Sequence, residues 1–150
     1  MADRYLFKAK RLDWREFPEK EQWIIGYYVL GFDVYEQPVH LIFEPTSMFF
    51  SHGETDGWSE IDPSTICQCT GLKDRNGRLI WENDIVAYWD AYSTENGQAE
   101  MGCIGKVVWD DETISFQVTN RLSAESYEVL DECSVIGNVF DNKELLESEV

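Results

Sequence analysis

A chain of 150 residues makes one ordinary domain or at most two small ones, which excludes large multi-domain machinery. Its 43% apolar and 14% aromatic content is ample for a core that buries roughly two-thirds of the unfolded surface. Twelve Lys and Arg against twenty-nine Asp and Glu leave a net charge of −17, which argues against binding DNA, RNA or an anionic membrane by general electrostatic attraction.

The apolar positions recur with the period of strands. Tyr5, Phe7 and Ala9 alternate with Leu6, Lys8 and Lys10, which predicts a first strand with one wet face near its end. Asp13 to Gln22 is charged and contains Pro18, which disfavours a long helix. Trp23 to Leu30 is nearly continuous in apolar residues and predicts a strand covered on both faces, closed by Gly31. This stretch is too short to span a bilayer, and Met1-Ala2-Asp3-Arg4 lacks the layout of a secretion signal, so a soluble cytoplasmic protein is expected. Val39 to Phe43 resumes the pattern and completes a three-stranded meander. Glu44 to Ser64, with Pro45, Gly53, Gly57 and Pro63, reads as a long loop and the place for a domain boundary.

Ile66 to Thr70 follows as a short strand, and Asn76-Gly77 is a strong hairpin-turn signal. Leu79 to Trp81 leads through Asn83-Asp84 into a strand with Ile85, Val86, Tyr88 and Trp89. After a polar tip over Ser93 to Gln98 come Ile104, Val107, Val108 and Trp109, then a turn at Asp110-Asp111-Glu112. Ile114, Phe116 and Val118 show the clearest two-residue period in the chain. Tyr127 to Leu130 and Val135 to Val139 supply two more strands, and Asp141 three residues before Glu144 is a capping pair for a short helix carrying Leu145 and Leu146. The expected fold is mainly β: an N-terminal meander over residues 1–62, then a small SH3-like barrel with one short C-terminal helix over residues 63–150, in one or two domains.

The block from Gln68-Cys69-Thr70-Gly71-Leu72-Lys73-Asp74 through Arg75-Asn76-Gly77-Arg78-Leu79-Ile80-Trp81 to Glu82-Asn83-Asp84-Ile85-Val86 resembles the YopX family, small proteins encoded by bacteriophages and integrated prophages. Gly105-Lys106-Val107-Val108-Trp109-Asp110 and Val135-Ile136-Gly137-Asn138-Val139-Phe140-Asp141-Asn142 continue the resemblance. Phe7-Lys8-Ala9-Lys10-Arg11, Gly26-Tyr27-Tyr28-Val29 and Ile42-Phe43 look like the family's opening strands. The family usually has an aromatic residue at the position of Cys69, which marks it as a packing site. It usually has glycine at Asn83, which implies a positive backbone angle there. The resemblance implies a phage-linked, homo-oligomeric protein of unassigned role in the host bacterium's cytoplasm, with no catalytic residues to carry over.

The charge is unevenly spread. Residues 1–20 carry a net +2, residues 21–70 hold eight carboxylates and no Lys or Arg, residues 71–80 carry +2, and residues 81–150 carry −13. Four cysteines, at 67, 69, 103 and 133, place one C-x-C pair on a strand face, but the other gaps fit no paired zinc spacing, so they read as small hydrophobes. His40 reads as a hydrogen-bonded strand histidine and His52 as a loop residue, with no nucleophile-elbow glycines around any serine. No catalytic, cofactor or metal residues are assigned, and no cofactor is expected. Trp23, Trp81, Trp89 and Trp109 read as core. Trp14 and Trp58, in loop segments, and the cations Lys73, Arg75 and Arg78 are the interaction candidates.

The favoured function is a non-enzymatic β module that assembles with itself or with a host or phage protein, without a membrane partner. Mimicry of nucleic acid by ordered carboxylates, blocking a host DNA-binding enzyme, is the alternative. Single-stranded nucleic-acid binding through Lys73, Arg75, Arg78 and Lys106 is set against by the overall charge.

Overall fold

The computed structural model describes residues 2–44, 57–119, 126–128 and 132–147, and its contacts divide the chain into two compact units, residues 1–69 and 70–150. The protein is mainly β, as its pattern predicts.

In the first unit, β1 (Phe7–Lys10), β2 (Trp23–Phe32), β3 (Pro38–Phe43) and β4 (Trp58–Glu60) run antiparallel in the order β4-β3-β2-β1, and β5 (Cys67–Lys73) pairs with the other edge of β1. Their inward residues, Ala9, Ile24, Ile42 and Ile61, form the core, with Phe7 and Ile66 packed against it. Pro18 breaks the link between β1 and β2 into two short 3-10 turns, Trp14–Glu16 and Glu19–Glu21. The sheet curls back on itself. Arg11 bridges Ile61, the Asp62 N–H donates to the Lys10 carbonyl (2.9 Å) and the Leu12 N–H to the Glu60 carbonyl (3.1 Å), so the end of β4 is occupied.

Three expectations are corrected here. Lys10, assigned to a wet face, is only 2% exposed: its ammonium lies 3.9 Å from the centre of the Trp14 ring and 5.5 Å from that of Trp23, and donates to Gln22 Oε1. Aromatic faces and the side-chain amide oxygen of Gln22 take the place of water. β2 does not stop at Gly31 and is not covered on both faces, since Ile25, Tyr27 and Val29 are exposed. The segment 44–64 read as loop contains β4 and a 3-10 turn, Pro63–Thr65, capped by Asp62. Residues 45–56, including Ser51, His52 and Gly53, lie outside the described residues.

In the second unit, β5 continues past Cys69 beside β6 (Leu79–Trp81). A five-stranded antiparallel sheet follows in the order β10-β9-β8-β7-β11, from β7 (Asp84–Thr94), β8 (Gly97–Asp110), β9 (Ser115–Thr119), β10 (Ser126–Glu128) and β11 (Ser134–Asn138). Ile80, Val86, Val107, Val118, Cys133 and Val135 form its core. Closure of these strands into the expected small barrel is not seen among the described residues. Asn83 has φ 69°, the positive angle its turn demands. Ile114, placed in a strand by its alternation, instead has φ 53° in the β8–β9 turn and is exposed, because the turn after Asp110 takes four residues. At the C-terminal helix, α1 (Glu144–Glu147), the Asp141 carboxylate accepts from Asn138 Nδ2 (3.1 Å), an Asn138-centred turn that the capping reading did not foresee.

Candidate interaction surface

The first surface grows out of the β2–β3 hairpin. Cross-strand partners share a face of a sheet, so the register Tyr27 opposite Phe43, Val29 opposite Leu41, and Phe43 opposite Trp58 gathers these side chains on the face away from the core. Phe43 and Trp58 pack with ring centroids 4.6 Å apart. Further out Leu30 and Phe32, on the other face, are exposed as well, so the distal hairpin is apolar on both sides. Its turn is firmly built. Asp33 Oδ1 accepts from the N–H groups of Tyr35 (2.8 Å) and Gln37 (2.9 Å), the Asp33 N–H donates to the Gln37 carbonyl, and Glu36 takes φ 61°. This turn holds out Val34 and Tyr35, which are 90% and 80% exposed. Exposed apolar clusters are the usual candidates for interaction sites.

The second surface is the turn between β5 and β6. Lys73, Arg75, Asn76 and Arg78 are exposed, whereas Asp74 is only 5% exposed. Asp74 Oδ1 accepts from the N–H groups of Asn76 and Arg78 (both 2.9 Å), and Oδ2 accepts from Val135 N–H (2.9 Å) on β11. Burial pushes this carboxyl up, but the N–H groups of Val135, Arg78 and Asn76 outweigh it and hold the group below its ordinary value. Gly77, with φ 79°, supplies the bend. Beside the turn lies an open groove of about 300 Å³ lined by Arg75, Ala87, Trp89, Gly102, Glu132 and Ser134, among others. The Trp89 indole lies over Gly102, its cross-strand partner, and is 64% exposed. Trp89 and Trp109 thus leave the core to which their strand positions assigned them. A two-residue period says which face a residue occupies but not whether that face is covered. Trp81 is buried as expected.

Trp14 is half-buried, with the Lys10 ammonium 3.9 Å and the Arg15 guanidinium 4.2 Å from its ring, and its Nε1 donates to Asp62 Oδ2 (3.4 Å). Trp58 is exposed and lies in β4, not in a loop. The sequence reading missed the hairpin tip: Asp33 before Val34 and Tyr35 is a turn signal with apolar residues where polar ones are usual, and that mismatch was the available clue.

All four cysteines are buried and unpaired by disulfide, and burial pushes the Cys133 thiol up, with Asp74 adding to the effect. His40 Nδ1 and the Tyr28 hydroxyl are hydrogen-bonded at 2.6 Å with stacked rings. Among the described residues no three of His, Cys, Asp and Glu cluster as a metal site, and no helix is long and apolar enough to cross a membrane.

These two antiparallel units, with aromatic and cationic surfaces at their turns, define a mainly β protein. The chain belongs to the YopX family: the family described as YopX protein matches residues 44–147. The opening blocks at residues 7–11, 26–29 and 42–43 precede the matched span. No curated protein matches the chain.

Proposed function

We propose that this YopX protein is a non-enzymatic, phage- or prophage-associated module of the host bacterium's cytoplasm that works by binding protein, in the first place its own copies. The observation that carries the reading is the β2–β3 hairpin, whose turn is locked by Asp33 while Val34 and Tyr35 stand in solvent. Folding alone gives no return for ordering two large apolar side chains outward, whereas a partner that covers them gains their apolar area. Strand edges contribute less than the sequence suggested. The end of β4 is taken by Arg11 and Leu12, and on β11 the N–H groups of Val135 and Asn138 are capped by Asp74 and Asn142.

Light scattering at low and high salt tests this reading. Expected is a homo-oligomer that dissociates as salt rises, because exposed charges are screened within about 3 Å at 1 M. A 17.5 kDa monomer at micromolar concentration in both conditions counts against self-assembly.

A further inference from the structure

The two basic islands of the chain have different fates. In the first, five of the six basic side chains, Arg4, Lys8, Lys10, Arg11 and Arg15, lie over rings of their own unit, at 3.9 to 5.3 Å from the centroids of Tyr5, Trp23, Trp14, Phe17 and Trp14 respectively, while Lys20 is exposed between Glu19 and Glu21. In the second, the single carboxylate of the island, Asp74, is turned inward onto three backbone N–H groups. Lys73, Arg75 and Arg78 are left outside on an ordered turn, with Leu72 exposed next to them. The turn is a preorganised cationic knob with an apolar neighbour.

The hairpin face is its chemical complement. Residues 21–70 contain no Lys or Arg, and the apolar side chains of the face are accompanied by exposed Asp33, Glu36 and Glu60. The nearest cation in the register, Lys8 opposite Ile25, has its ammonium 4.9 Å over the Trp23 ring. Two copies meeting face to face would set carboxylates against carboxylates, and knob to knob would set cations against cations, each repulsive. Knob to face pairs unlike charges and covers apolar surface.

We propose that copies associate head to tail, the Lys73–Arg78 turn of one copy seated on the β2–β3 hairpin face of the next. The inference rests on the self-binding reading above and specifies its two surfaces. Such a contact is heterologous: each copy keeps one unused knob or face until a ring closes or a chain grows.

Complementation tests it. A face variant, Val34→Ser with Tyr35→Ser, removes the exposed apolar tip without adding charge that would attract the knob, and leaves the turn intact because the tip is set by Asp33 and backbone bonds. A knob variant, Lys73→Glu with Arg75→Glu, keeps Asp74 and Arg78. Circular dichroism and thermal melting check that both remain folded; Lys73→Gln with Arg75→Gln replaces the knob variant if it does not. Each variant alone is expected at 17.5 kDa by light scattering, and an equimolar mixture at twice that mass, because one good knob meets one good face. If the wild type associates but the mixture stays monomeric, or either variant still assembles like the wild type, the head-to-tail contact is overturned while self-binding stands. If the wild type itself is monomeric, both readings fall.

Discussion

Asp74 is a structural carboxylate, although in the sequence it only subtracts one charge from a basic stretch. Its two oxygens tie the β5–β6 turn to β11, residues 61 positions apart. Replacement by alanine removes the acceptor of three N–H groups, that of Val135 buried and those of Asn76 and Arg78 partly so, and is expected to lower stability by about 2 kcal/mol in urea unfolding. The pH dependence follows from the depressed carboxyl. Its contribution is complete above the ordinary value of 3.8 and is lost as pH falls through the lower folded-state value, so Asp74→Asn flattens the acid limb of the stability curve. Asp62, held low first by the Ser64 hydroxyl, acts with the same sign. Lys10 makes a second residue-level test: Lys10→Met keeps the stem against Trp14 and Trp23 and is expected to unfold later in denaturant than Lys10→Ala. The buried thiols predict slow labelling of the native protein by a thiol reagent and four fast equivalents in denaturant. The Asp74–Val135 and Lys10–Trp23 contacts were not legible in the sequence, because each joins separate segments of the chain, whereas the four cysteines already read as small hydrophobes.

At the scale of elements the sequence was more readable. Alternation located β3, β6 and β11 to within a residue at most ends, and the family's glycine at position 83 anticipated the positive angle of Asn83. What periodicity could not supply was coverage. Trp23 to Leu30 looks like a strand buried on both sides, yet its outer row is solvated, and Trp89 and Trp109 fare likewise. Nor could it show how closely strands approach. A Cβ on Gly26 would collide with the Phe43 carbonyl oxygen across the β2–β3 pair, and backbone cannot yield as a side chain tip does. Gly26→Ala is therefore expected to lower stability by about 2 kcal/mol and to loosen the hairpin, seen as faster amide exchange over β2 and β3. The same substitution at Gly31, with open space around it, is the control.

For the whole molecule, a mainly β chain and its family were legible in the sequence, whereas the arrangement of charge into a spent island and a displayed one was not. That arrangement depends on which rings and N–H groups lie nearby, and composition is blind to it. One further feature bears on how the molecule is made. β7 and β8 pair over ten successive positions from Ile85–Lys106 to Thr94–Gly97, joined through the two-residue bend Glu95-Asn96, while β1 must find β5 across the interval from Phe7 to Gln68. Short loops close sooner than long ones, so the second hairpin is the natural nucleus of refolding and the β1–β5 ladder its late step. Gly97, at φ 120°, is the lever: Gly97→Ala should slow refolding after stopped-flow dilution, whereas Phe7→Leu should chiefly hasten unfolding.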